Sequence, residues 1–497
     1  MHTTPDSAGH LFARLRRSAL LAVLACTLQS SHALAQDTSA ADSSTQRAIE
    51  QVAKVAQYED AINALQSAHG PFDTRLLEPL QGLIDTHIEN AGFEQAFALL
   101  DQQLQIQRIN HGLYSAEQIP IIETMLELQS SAGDWQRINE TLQYLSWLYQ
   151  RDESLPNEAR LAGLKSVGAW HLRALGQDER VREAHHLVRL SILEDKAATL
   201  AEEQFGAESE ALVPYLYDKS MADLYIALAI MLTDDTSQDL MLETEGLRSR
   251  GSPGSGGGAG GLGVSEVEAI YGSRASTVIE RSFKANMGAS YSELERIRDV
   301  FAATGNREAE AMALLAMGDS VLMRQQFEDR PGNFAGMRRG TSSAGSAMMS
   351  YSDAMALFQE AGLDKALIDA LTRCPVLLPA TVFHATVTAA TPDCVQVAEP
   401  ASYTLADYNL ISTLIPGLEG KAESPEGTLE AQLRFNVRTN GQVSNMEVVT
   451  ISIDNTPNRV KVRKLTELMQ FRPAMRDGSP VRAENVRITV RIPAARE

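Results

Sequence analysis

Catalysis needs side chains that can move a proton, hold a metal ion or cradle a phosphate, and here such residues are scattered rather than grouped. His185 and His186 are adjacent within a helical pattern, so they point in different directions and cannot chelate one ion together. His69 and His111 each precede a glycine at a helix end, where a capping or packing role is expected. No Cys/His spacing of metal-site type occurs, and no Gly-x-Ser-x-Gly turn offers a nucleophile. The Gly251–Gly263 run has enough glycine to wrap a phosphate, but it lacks Gly-Lys-Ser/Thr and follows a helical pattern instead of a strand, so it reads as a flexible linker. The many carboxylates fall on exposed faces of helical patterns, where solvation accounts for them. No catalytic constellation, cofactor or metal is expected, and the chain reads as a non-enzyme.

The cysteines carry the remaining chemistry. Cys26 lies in the N-terminal segment, which leaves Cys374 and Cys394 as an even pair. In an exported protein that pair forms a disulfide, worth about 3 kcal/mol for a loop of this size, or it remains as two buried thiols.

Export is expected from the first residues. Arg14, Arg16 and Arg17 precede an apolar run from Ser18 to Leu28, and Ala33-Leu34-Ala35 forms an A-x-A site with cleavage between Ala35 and Gln36. The run is too short to span a bilayer, which needs about 20 residues. Val23-Leu24-Ala25-Cys26 also fits a lipobox, so lipidation at Cys26 and an uncleaved anchor are the competing readings. The mature chain is expected in the periplasm; the alternative is a membrane-anchored chain facing it.

A chain of 497 residues is too long for one core and calls for several folding units. The net charge of −20 argues against nucleic acid as a partner. Residues 395–497 hold 13 Lys/Arg against 12 Asp/Glu, so the acidic excess sits in the part before them.

That earlier part is helical in pattern. Apolar residues recur at three and four, as in Leu76, Leu77, Leu80, Leu83 and Ile84, and again in Ile119, Ile122, Met125, Leu126 and Leu128. Punctuation repeats as well: Gly70 then Pro79, Gly112 then Pro120, Gly206 then Pro214, with the first two glycines 42 residues apart. Each glycine suits a position just past a helix and each proline the first turn of the next. A second break at Ala91-Gly92 and at Ala132-Gly133 makes two helices per repeat. Residues 48–235 resemble tetratricopeptide repeats of the longer kind found in kinesin light chains, and a second patch does so through Ala309–Asp319 and Tyr351–Phe358. The resemblance implies small residues where paired helices touch, and a concave face that binds partners. The Arg330–Ser346 loop, with Arg338 and Arg339, reads as a solvated insertion.

The last stretch changes character. Leu429, Ala431, Leu433, Phe435 and Val437 alternate with polar residues, Asn440-Gly441 signals a hairpin, and Val443–Ser452 returns. Pro457–Met469 is expected to be an amphipathic helix with Val460, Leu465, Leu468 and Met469 facing inward. A corner follows: Phe471, Arg472, Pro473 and Ala474, then Gly478, Pro480 and Val481. Phe471 is expected to plug the core, Gly478 to take a positive φ, and the prolines to fix the backbone. A final strand alternates Val486, Ile488, Val490 and Ile492 against Arg487, Thr489 and Arg491.

This β-β-α-β order, with Phe-Arg-Pro-Ala and Asp-Gly-x-Pro-Val, resembles the C-terminal domain of TonB-type energy transducers over about residues 428–493. The resemblance implies a periplasmic module that pairs a sheet edge with peptides of outer-membrane proteins. A terminal strand with unpaired backbone groups supports the same mode, with Arg487, Thr489 and Arg491 on the candidate edge. The arginines could equally serve to guard that edge from aggregation. The Pro-rich spacer of that family is absent, and a helical array stands in its place.

The expected fold class is therefore an all-α repeat solenoid followed by a small α+β domain. The expected order is a signal peptide at 1–35, a leader at 36–46, repeats at 47–245, a Gly/Ser linker at 246–265, and more repeats at 266–374. A connector at 375–425 and the terminal domain at 426–497 complete it. The expected function is a periplasmic interaction scaffold for an envelope or outer-membrane protein, with a working energy transducer as the alternative. Partners would engage the sheet edge and the concave repeat face, and the membrane would be involved only through an anchor or lipidated Cys26.

Overall fold

The computed structural model describes residues 46, 49–151, 154–174, 183–232, 275–328, 343–379 and 428–493. Ala35, Gln36, Cys26, Cys394, the Gly251–Gly263 run, Arg338 and Arg339 lie outside them. So do the extended stretch expected at Ala380–Val387 and the short helix expected around Tyr403–Leu414. The protein is mostly helical, with a small sheet region near its C-terminal end. It divides into two compact units, Met1–Ala132 and Gly133–Glu497. Among the described residues no helix is long and apolar enough to cross a membrane.

The first unit contains α1 (residues 49–69), α2 (Leu77–Glu89), α3 (Phe93–His111) and α4 (Ile119–Ser131). Gly70 and Gly112 end α1 and α3 with φ of +93° and +95°, positive values that glycine adopts without the steric cost of a Cβ. Their amides close the helices onto the Gln66 and Arg108 carbonyls. The next helix does not start at once. A 3-10 turn intervenes each time (Thr74–Leu76, Ala116–Gln118), capped by the side chain of Asp73 or Ser115, which accepts from the backbone N–H two residues on. At the second break Ala91 takes the positive φ, not its neighbour Gly92. Ile62, Leu76, Leu80, Leu83 and Ile106 form the core.

The second unit opens with α5 (Trp135–Arg151), α6 (Asn157–Ala174) and α7 (Glu183–Phe205). After α7 the same device returns: Gly206 at φ +89°, Ser209 as cap, a 3-10 turn at Glu210–Leu212, then α8 (Val213–Leu232). The array continues with α9 (Ala275–Thr304), α10 (Arg307–Glu328), α11 (Ser343–Glu360) and the short α12 (Lys365–Thr372). The alanines of α10 are fully buried at Ala309, Ala311 and Ala313, so neighbouring backbones can approach closely.

Strands follow: β1 (Val376–Leu378), β2 (Thr428–Val437) and β3 (Val443–Ile451), then α13 (Thr456–Leu468). They are followed by β4 (Gln470–Arg472), β5 (Ala474–Arg476), β6 (Ser479–Val481) and β7 (Ala483–Pro493). β3, β2 and β7 form an antiparallel sheet in that order, with β2 central. The expected alternation of β2 is present, with Leu429, Ala431, Leu433, Phe435 and Val437 all buried in one core with Val486, Ile488 and Val490.

Three details depart from the sequence reading. The stretch 470–481, expected as a simple helix-to-strand corner, forms β4 and the separate β5–β6 hairpin, because the Asp477-Gly478 turn folds it back on itself. Val460 faces solvent at 47% exposure, and Val462 takes the buried position on α13. The helix starts at Thr456-Pro457 and is capped by Asn455, which sets a phase that the scattered apolar residues left ambiguous. Residues 376–378, expected to belong to the connector, form a strand: β1 pairs with β4 through Val376↔Arg472, Leu377↔Phe471 and Leu378↔Gln470.

Candidate partner-binding interface

β7 is an edge strand. It pairs with β2 on one side, and among the described residues no strand pairs with the other. Both edges of this sheet are not alike. β3 is broken by register shifts opposite Gln432/Leu433 and Arg434/Asn436, with Asn445 at φ +53°. Such bulges twist an edge away from further pairing. β7 has its irregularity at one end, around Asn485 (φ +57°), and from Val486 to Pro493 its register against β2 is continuous. About eight residues of regular strand span roughly 26 Å, enough for a peptide to add in register.

The three residues expected on the edge lie along this strand. Arg487 is exposed and Thr489 half-buried, both on the face opposite the core. In register, Arg487 stands across from Arg434, Thr489 from Gln432 and Arg491 from Glu430. Arg434 forms an ion pair with Glu447 of β3.

The corner residues hold the sheet and also do something the sequence did not announce. Phe471 is fully buried and meets Phe435 at a ring-centroid distance of 5.4 Å. Pro473 and Ala474 are buried as well. Asp477 and Gly478, at φ +49° and +75°, make the two-residue turn between β5 and β6, and Pro480 and Val481 pair with Met475 and Ala474. Gly441, in the other hairpin, sits where a Cβ would come within 1.9 Å of the Phe471 carbonyl oxygen.

The Arg472 side chain reaches from β4 into the helical array. It is 9% exposed, and its guanidinium forks onto Asp319 of α10, with Nε donating to Oδ1 at 2.8 Å and a second bond to Oδ2. Tyr351 of α11 donates its hydroxyl to the same Oδ1 at 2.8 Å. Burial would depress the Arg472 pKa, but the Asp319 charge and hydrogen bonds more than offset this and raise it. Burial, reinforced by Asp319, pushes the Tyr351 hydroxyl well above its usual range. The forked guanidinium and the tyrosine hydroxyl both donate to the Asp319 carboxylate, the kind of hydrogen-bonded geometry under which a buried ion pair is tolerated. Lys365 and Asp477 add an exposed pair at 2.6 Å between α12 and the β5–β6 turn.

Cys374 is buried and disulfide-bonded, two residues before β1; Cys394, its expected partner, lies outside the described residues. A histidine contact also went unread in the sequence. His171 of α6 and His186 of α7 are buried, their Nδ1 atoms 3.0 Å apart, so one ring donates and the other accepts. Burial lowers the His171 pKa well below its ordinary value. Among the described residues no group of three His, Cys, Asp or Glu is placed to hold a metal ion.

No family model matches the chain, and no curated protein matches it.

Proposed function

We propose that this protein is a non-catalytic interaction scaffold of the cell envelope. In this reading the helical array is of the tetratricopeptide kind and the terminal α+β module is of the TonB C-terminal kind. The module binds an extended segment of an envelope or outer-membrane protein at the edge of β7. The observation that supports this best is the continuous register of β7 from Val486 to Pro493, next to an unoccupied edge among the described residues. The array serves as the mount. Export through the N-terminal segment, with cleavage between Ala35 and Gln36, belongs to the same reading.

A photo-crosslinking residue installed in place of Thr489 tests it in living cells that make the protein. The reading expects one discrete protein adduct from position 489 and none from position 477, in the β5–β6 turn. Equal adducts from both positions, or none from 489, would remove the edge from the function.

A further inference from the structure

We propose that the strand received by β7 carries a carboxylate opposite Arg487, within an apolar-acidic-apolar pattern. This rests on the edge-binding reading above and names the chemistry of its partner.

The inference comes from the row of side chains that crosses the outer face of the sheet. In register that row runs Glu447, Arg434, Arg487, and then the open edge. The Glu447 carboxylate is taken by Arg434. Arg487, directly opposite a like charge, has no ion-pair partner among the described residues. Like charges facing across a strand pair are destabilising, and an opposite charge on the next strand reverses the sign. The neighbouring row differs: Thr450, Gln432 and Thr489 are all uncharged and ask only for a polar or small residue. One row further on, the residue in register with position 491 is the acid Glu430, in contrast to the arginine opposite Arg487.

On the other face Val486, Ile488 and Val490 continue the core to the edge. A strand added there presents alternate residues to that face, because side chains alternate with a period of two. Apolar residues on both sides of the acid would extend the core. A charged residue at those positions would be buried without a partner. The edge therefore selects both by sign and by alternation.

The test is binding of labelled hexapeptides to the full chain by fluorescence anisotropy. The probe is acetyl-Thr-Val-Glu-Val-Thr-Val-amide, with Gln or Lys replacing Glu in two controls. The proposal expects the Glu peptide to bind at least tenfold more tightly than the Lys peptide, with Gln between them. Arg487→Glu should reverse the order, and Arg487→Gln should make the three peptides equal. Arg487 is exposed, so neither substitution disturbs the core. Equal binding of all three peptides to the unaltered chain would overturn the charge inference while leaving edge binding intact. Failure of every peptide to bind would overturn edge binding itself. A chain that sediments as a dimer and binds no peptide would assign the edge to a second copy, which also overturns the proposal.

Discussion

Gly318 lies under the ring of Tyr351: a Cβ on Gly318 would come within 2.4 Å of the Tyr351 Cε1 atom. The absence of a side chain at that point on α10 lets the tyrosine lie flat enough for its hydroxyl to reach Asp319, one residue further along. Gly318→Ala should therefore act twice, by overpacking worth about 1–3 kcal/mol and by loss of a hydrogen bond to a charged group worth about 1.5–3 kcal/mol. Tyr351→Phe removes only the second. Chemical denaturation of the three proteins should rank them in that order, and a Gly318→Ala protein as stable as the parent would contradict the packing argument.

Breaking the Arg472–Asp319 pair should be far more costly than its net contribution suggests. Arg472→Ala leaves the Asp319 carboxylate buried with Tyr351 alone, and a stranded buried charge costs about 3–5 kcal/mol. The double variant Arg472→Met with Asp319→Leu strands nothing and should recover most of that loss. Denaturant midpoints of the single and double variants check this, and a double variant as unstable as the single one would refute it.

Two glycines with similar backbone angles should respond differently to alanine. Gly478 (φ +75°) has nothing within 4 Å of a built Cβ, so Gly478→Ala should cost only about 1–2 kcal/mol of backbone strain. Gly441 (φ +79°) would drive its Cβ into the Phe471 carbonyl, so Gly441→Ala should cost about 3 kcal/mol or more. Thermal melts of the pair provide the comparison.

Glu194 gives the second unit a stability that falls as pH rises from 4.5 to about 8. Burial, with help from Asp218, pushes its pKa up to about 8 from an ordinary 4.5, and one of its oxygens lacks a hydrogen-bond partner among the described residues. The folded state thus holds a proton that the unfolded chain releases above pH 4.5. The stability this provides is complete below pH 4.5 and is lost as pH rises to about 8. Glu194→Gln cannot ionise, so its melting temperature relative to the parent should rise between pH 5 and pH 9 by about 5 °C or more. A pH-independent difference would show that the carboxyl is not held neutral.

The Cys374 disulfide should resist alkylation until a reductant is added, which intact mass reports directly. Its loss in Cys374→Ser should cost about 3 kcal/mol and speed amide exchange in Leu377 and Phe471, which pair across β1 and β4. Exchange unchanged at both residues would separate the disulfide from that ladder.

Local signals were readable and distant ones were not. Gly70, Gly112 and Gly206 all adopt the positive φ that their position at helix ends implied, because the requirement is set by the two or three residues around each. The Asn440-Gly441 turn and the positive φ of Gly478 were legible for the same reason, whereas the β5–β6 hairpin around Gly478 was not. Val460 was placed inward and Val462 left unassigned because α13 has few apolar residues, so a shift of phase changes little in the pattern. The partner of Arg472 left no trace at all, since Asp319 is 153 residues away and sits in an alanine-rich helix whose pattern speaks only of helix contact. For the edge, alternation identified the face of Arg487, but its opposition to Arg434 depends on register, which strand pairing alone determines.

The pairing of β1 with β4 also bears on how this module could be moved to another carrier. A graft cut at the apparent start of the β-β-α-β pattern would take β4 without the strand beside it and Arg472 without its acid. The smallest transplantable piece is therefore discontinuous in sequence: it includes residues 376–378 and the stretch of α10 and α11 that carries Asp319 and Tyr351. A swap that respected only sequence order would transfer β7 on an unfinished base.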